Sequence, residues 1–296
     1  MPFNTIEFAD KCTTLMDSIY QESAITNGMD AATDPGFQGV KEVKVMTVDV
    51  DGLGDYDRED GYPKGPTKVG CDVYKLTEER GKQLEIDRMD NEETLGLAFG
   101  RVISEFMRLH VIPELDTYRF AKYASANGIT KPAPAILTST TLIDAIDEAV
   151  RKLDEDQVPM DGRILYISSD LKPVMNQALL RRWGSDATVN TVLDGYNNMK
   201  IKYVPATRFL TEIVMNSGKD AWGFKKAPTT QNINFMIIYP PSILQVVKFE
   251  KPKIFDPDIN QEKDTWKYQY RQYHDALVYK RKANGVYLHA QPLPEP

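Results

Sequence analysis

The residues of this chain most able to do chemistry are few and scattered. Asp49, Asp51, Gly54 and Asp60 stand at positions one, three, six and twelve of a calcium-loop template. Calcium needs a cage of oxygen ligands, and this stretch is dense in carboxylates. Leu53, however, takes the fifth position, where an oxygen belongs, and strand-like sequence flanks the loop where helices should. A solvated hairpin tip explains the same residues without a metal. The histidines are His110, His274 and His289. His110 falls on the apolar face of a helical pattern, where a histidine is more often a core residue than a ligand. The other two lie in strand patterns near the C-terminal end, with no Cys or carboxylate at ligand spacing. Cys12 and Cys71 are far apart and form no CxxC motif, so neither a disulfide framework nor a thiolate site is expected. There is no Gly-x-Ser-x-Gly elbow, no phosphate loop ending in Lys-Ser/Thr and no His-Glu-x-x-His. The expectation is a chain with no catalytic, cofactor-binding or metal-binding residue; only a triad assembled from distant positions is left open.

Two basic clusters, Arg181-Arg182-Trp183 and Lys280-Arg281-Lys282, carry charge that could meet phosphates. No platform of aromatics flanks either, and an ordinary charged surface explains them as well. Trp266, Tyr268, Tyr270 and Tyr273 read as strand faces packed in a core or against a neighbour.

Composition narrows the class. The 296 residues include 36 Lys+Arg against 43 Asp+Glu, a net charge of −7, with 42% hydrophobic residues. That is enough apolar material for a core, so wholesale disorder is excluded. The acidic balance argues against a protein that wraps DNA, which needs a basic surplus. The length suggests about two domains. The N-terminal residues lack the basic and apolar regions of a signal peptide. The most apolar stretch, Phe235 to Val247, is broken by Pro240 and Pro241 and is too short to span a bilayer. Synthesis inside a cell and no membrane association are expected.

The elements that must position these residues follow from periodicity. Thr5 to Ser23 reads as a short amphipathic helix, and Gly28 to Gly39 as an extended arm. Val40–Asp49, Val69–Leu76 and Lys82–Met89 alternate as strands, and the first two flank a polar, glycine-rich connection. These strands have too few large apolar residues to bury a core of their own. Asp90 and Glu93 make a capping box, behind which Phe99, Val102, Ile103, Phe106, His110 and Val111 recur at helical spacing. Pro113 should kink or interrupt this helix, and the pattern resumes through Leu115, Tyr118, Ala121 and Ala124 to Asn127-Gly128. From Pro132 to about Asn232 the texture is α/β: a helix after Thr141, a strand at Arg163–Ser168, a helix at Asp170–Trp183, then strands near Val189–Leu193 and Lys200–Val204. Strands return at Asn234–Tyr239, Leu244–Glu250, Thr265–His274, Asp275–Lys282 and Gly285–His289.

This order of parts resembles the major capsid protein of tailed bacteriophages, the Hong Kong 97-type shell fold. The residues that carry the likeness are Tyr74 to Gly81, the run Leu84-Glu85-Ile86-Asp87-Arg88-Met89-Asp90-Asn91-Glu92-Glu93-Thr94, then Phe106, Pro113 to Asp116 and Tyr118 to Lys122. The resemblance implies an α+β fold in four parts. Residues 1–39 would be an N-terminal arm and 40–88 an extended loop lying over an adjacent subunit. Residues 89–131 and 233–296 would form a peripheral domain with a long spine helix and a long sheet, and 132–232 an axial domain. It further implies self-assembly through pentamers and hexamers into an icosahedral head that encloses double-stranded DNA, contacted non-specifically. A separate scaffolding protein is expected, because no scaffolding region precedes the arm; a portal and decoration proteins are the other implied partners. The location implied is the virion, with synthesis in the host cytoplasm. Lys64 and Lys68 lie in the extended loop, where some relatives form covalent links between subunits; here they read as solvated charges. The competing expectations are a nanocompartment shell of the same fold and an unrelated soluble enzyme built on 132–232.

Overall fold

A computed structural model describes residues 24–27, 29, 36–37, 42–53, 56, 58, 65, 67–89, 97–183, 195–250 and 252–293. The amphipathic helix read in Thr5–Ser23, the capping box at Asp90 and Glu93, the strand read in Val189–Leu193, and Cys12, Gly54, Asp60 and Lys64 lie outside these residues.

The strands are β1 (Gly36–Phe37), β2 (Glu42–Val50), β3 (Thr67–Lys75), β4 (Glu78–Asp87), β5 (Ile164–Ser168), β6 (Gly195–Tyr196), β7 (Met199–Val204), β8 (Ile213–Met215), β9 (Phe224–Lys226), β10 (Ile233–Ile238), β11 (Ile243–Glu250), β12 (Lys253–Phe255), β13 (Thr265–Val278) and β14 (Val286–Ala290). The helices are α1 (Leu97–Phe106), α2 (Ile112–Ser125), α3 (Leu142–Glu155) and α4 (Lys172–Trp183). The fold is α+β, as expected.

A five-stranded sheet runs β14-β10-β5-β7-β6, with β5 and β7 parallel and the other pairs antiparallel. Its central strands β5 and β10 are largely apolar because both faces are covered. On one face Phe235, Ile237, Leu165, Ile167, Met199 and Ile201 meet Ile146, Ala149 and Leu153 of α3 and Met175 of α4. On the other, Met236, Ile238, Tyr166 and Val204 meet Phe120 and Tyr123 of α2. Ile233 also joins the second core although it is an odd residue like Phe235, because a bulge between the two resets the alternation. The resemblance implies that 233–296 belongs to the peripheral domain and 132–232 to the axial domain. The structure instead draws β10 and β14 into the sheet of β5 and β7, because a strand reading Ile-Asn-Phe-Met-Ile-Ile needs apolar cover on both faces.

The second sheet centres on β13. One edge of this 14-residue strand pairs with β4 from Asp87↔Thr265 to Glu78↔His274. Its other edge pairs with β12 and then β11. Thr265–His274 and Asp275–Lys282, read as two strands, are thus largely one. β4, read as part of the extended loop, is a full member of this sheet: its alternate residues Leu84 and Ile86 pack with Phe99, Ile103 and Met107 under the spine helix.

The spine helix is continuous through Pro113. A π-helical turn, Met107–Val111, joins α1 to α2, and Pro113 falls in the first turn of α2. A proline lacks the N–H that an α-helix needs there, and its ring crowds the carbonyl four residues back; the wider turn absorbs both effects. Thr117 Oγ1 donates to the Pro113 carbonyl oxygen at 2.6 Å. The extra residue also rotates the helix face. Met107 is buried and His110 exposed, so His110 leaves the core position that the unbroken period assigned to it.

Candidate functional site

The feature that stands out from the body is the hairpin of β2 and β3. Its nine pairs run from Glu42↔Lys75 to Val50↔Thr67, and β1 adds two residues along β2. Its apolar packing against the body is at the root. Val43 is buried with Leu76, Leu244, Val246 and Tyr273, and Val45, Leu277 and Tyr279 pack beside them. Tyr74 meets Tyr279 edge-on at 6.3 Å. Thr77 closes the root: its N–H and Oγ1 donate to Asp275 Oδ2 at 3.0 and 3.1 Å. Asp275 Oδ1 accepts from Tyr118 Oη at 2.8 Å, so a single buried carboxylate ties hairpin, long sheet and spine helix together. Burial and the Asp275 charge push the Tyr118 phenol well above its ordinary range.

Beyond the root the two faces differ, because side chains alternate. One face turns toward the segment Lys280–Gly285, where Arg281 donates to both carboxylate oxygens of Asp49 and to the Val48 carbonyl. The opposite face carries Met46, Val48 and Val50 on β2 and Val69, Cys71 and Val73 on β3, all exposed; Met46 is 70%, Val50 69% and Val69 65% accessible. An apolar sheet face left to water is a contact surface awaiting cover.

Two further joints hold the parts. Residues 24–27 thread between spine helix and sheets: Asp116 accepts from the Ile25 and Thr26 N–H groups at 3.2 Å each and from Thr26 Oγ1 at 2.7 Å. Arg119 Nη1 donates to Thr26 Oγ1 at 2.9 Å, and Gln245 Nε2 to the Thr26 carbonyl at 3.1 Å. Arg208 completes the charge balance, 3.6 Å from Asp116. At the other joint Arg80 Nε donates to Glu114 Oε1 at 2.7 Å and Arg80 Nη1 to the Asn216 carbonyl at 2.7 Å, linking β4, α2 and the β8–β9 hairpin.

The residues singled out for chemistry are not brought together. Asp49 of the calcium template is engaged by Arg281, and among the described residues no three His, Cys, Asp or Glu side chains form a metal cluster. His274 is buried edge-on to Tyr118 at 5.3 Å; burial, then Arg119 and Arg80, hold its pKa down at about 3. His289 stacks on Phe235 at 5.2 Å, and burial lowers its pKa. Of the Lys280-Arg281-Lys282 cluster, Arg281 holds the hairpin and Lys282 lies over the Tyr279 ring at 5.6 Å. Trp266 packs on Phe99, and Tyr268, Tyr270 and Tyr273 are all buried within the chain itself. Lys68 lies on β3, exposed. The sequence reading passed over Thr26, Asp116, Arg119 and Asp275 as working residues; the available signal was Asp116 and Arg119 standing among Ile112, Leu115, Tyr118, Phe120 and Ala121 in one helical run.

No family model matches this chain, and no curated protein matches it in sequence. Its structure is similar to solved shells. A capsid structure of the cyanophage P-SCSP1u superposes with a TM-score of 0.61 at 13% identity, covering 89% of this chain and 87% of that one. A chain from Gordonia phage Cozz gives 0.62 at 13%, covering 92% and 87%. A virus-like particle from Pyrococcus furiosus gives 0.57 at 11%, covering 96% and 99%. The class is therefore the Hong Kong 97-type shell fold, shared over nearly the whole chain. No helix among the described residues is long and apolar enough to cross a membrane.

Proposed function

We propose that this chain is a major capsid protein, whose copies assemble through pentamers and hexamers into the icosahedral head enclosing phage double-stranded DNA. The observation that carries the reading is the β2–β3 hairpin, rooted firmly yet apolar and exposed beyond Val45, on a chain with a shell fold along nearly its whole length. A head-to-tail contact of that kind, repeated, closes rings, and rings joined by a second contact close a shell. Its work is assembly rather than catalysis. The extended loop is residues 42–75, the body around β13 and the spine helix is the peripheral part, and the five-stranded sheet with α3 and α4 is the axial part. A scaffolding protein, a portal and decoration proteins are the further partners, and the virion is its location.

Electron microscopy of the purified chain, alone and with a scaffolding protein, tests this: closed shells, rings or tubes are expected. A monomer under every condition would overturn it. The Pyrococcus furiosus particle, matched over 99% of its subunit, favours a second reading, a compartment that encloses protein cargo. Nuclease-resistant DNA inside the native particle supports the head, and a co-purifying enzyme supports the compartment.

A further inference from the structure

A cavity of about 510 Å3 opens beside the π-turn, between β4, the spine helix and the β8–β9 hairpin. That volume lies in the range of small-molecule sites, roughly 300–1,000 Å3. The register of β4 on β13 builds its floor. Lys82 stands opposite Tyr270 and Arg80 opposite Gln272, so alternation puts all four side chains on one face of the sheet. At the mouth stand Leu109 of the π-turn, 57% exposed, and Trp222 of the β8–β9 hairpin, 64% exposed. Phe106 and Tyr270, edge-on to one another at 6.1 Å, continue the apolar wall inward. Large apolar side chains left to water around one opening mark a surface that a bound apolar body would cover.

The polar groups of the lining define the other end of the ligand. Its carboxylates are already spent, Glu114 on Arg80 and Glu79 on Arg271. What remains is cation and donor. Lys82 Nζ lies 4.7 Å from the Trp222 ring centroid and 5.6 Å from that of Phe106, and it has no ion pair among the described residues. Gln272 Nε2 and His274 Nδ1 are buried with no hydrogen-bond partner among the described residues, their side chains belonging to residues only 2% and 3% exposed. Burial keeps His274 neutral, and one tautomer of a neutral imidazole puts its proton on Nδ1. Buried donors are costly to leave unmet, so this lining is built for an incoming acceptor. Lys82 and Gln272 occupy diagonal positions across the two strands, roughly 7–8 Å apart at the backbone, so one carboxylate reaches both. We propose that this cavity binds a small aromatic carboxylate, its ring among Trp222, Phe106 and Leu109 and its carboxylate held by Lys82, Gln272 and His274. Such a ligand bridges β4, the spine helix and the β8–β9 hairpin, and so stiffens the joint that Arg80 already makes between them. The site stands apart from the shell reading, since it needs no second copy and is complete within one chain.

The probe is naphthalene-2-carboxylate, titrated into the full chain by calorimetry and followed by tryptophan fluorescence, with Trp222→Phe identifying the responding ring. Saturable binding of one probe per chain and a raised unfolding midpoint are expected. Naphthalene-2-carboxamide, the same body without the charge, should bind about tenfold more weakly. Lys82→Met should weaken the carboxylate by a similar factor and leave the amide unchanged, and Lys82→Arg should restore most of the loss. Gln272→Leu separates binding from a structural role. Removing an unmet donor should leave the unfolding midpoint of the empty chain unchanged or raised, while the probe binds several-fold more weakly. Absence of saturable binding up to about 1 mM probe would overturn the site. So would equal affinity for carboxylate and amide, or a Lys82→Met chain that binds like the parent. A Gln272→Leu chain with a lowered midpoint and unchanged affinity would assign that amide to the fold and overturn its part in the site.

Discussion

At the residue scale the molecule is held by a few buried charges with assigned partners. Asp116 has its acceptor capacity filled by the backbone and hydroxyl of residues 25 and 26, with Arg208 close by. Asp116→Ala should cost about 1–3 kcal/mol, because it leaves the Ile25 and Thr26 N–H groups buried without their acceptor; urea unfolding of variant and parent measures the difference. His274 makes a second prediction. Its folded pKa, about 3, lies below the ordinary value of 6.5, so the unfolded chain takes up a proton that the folded chain refuses. Stability is therefore full above about pH 6.5 and falls as the pH drops toward 3, by roughly 2 kcal/mol at pH 5 from this group. The charged and polar groups facing it are Arg119 and Tyr118 on α2, Arg80 and Glu78 on β4, and Asp275 beside it on β13. His274→Gln should flatten the loss between pH 6.5 and pH 5 by that amount in paired denaturation curves.

At the element scale the hairpin and the spine helix behave oppositely. The hairpin beyond Val45 buries little on its own body, and its main tether there is the Arg281–Asp49 pair, which is exposed and screened by solvent and therefore weak. Replacing 46–71 by a short turn should leave the unfolding midpoint nearly unchanged while abolishing particles, checked by calorimetry and microscopy on the same sample. The spine helix was legible from its apolar period and the hairpin from its alternation without a core. What escaped was any feature that depends on distant chain. β4 alternates as a lone hairpin strand would, and nothing local says that β13 will be its partner. His110 was misplaced because a period assumes an unbroken helix, and one extra residue in a π-turn shifts every face beyond it. The joints at Asp116 and Asp275 were invisible for the same reason: Thr26 and Thr77, their partners, are 90 and 198 residues away.

At the scale of the whole molecule, burial of apolar surface should drive association, since the exposed hairpin face is apolar and each copy carries a charge of −7. Particle yield should then rise in sulfate relative to chloride at equal ionic strength, and fall on cooling to 4 °C, as hydrophobic association does. Light scattering during assembly reads both. An association carried mainly by ion pairs would show neither trend.

The strand order of the five-stranded sheet bears on synthesis. β5 lies beside β10, and β14 closes the edge next to β10, so one edge of β5 waits for chain that is made last. At ribosomal speed the interval between residues 168 and 286 is on the order of ten seconds. Through that interval the edge of β5 that β10 will take has no partner strand, which makes the nascent chain a client for chaperones. The same delay keeps the body unfinished until the final strand exists, so a chain still being translated cannot join a growing particle and jam it with an incomplete copy.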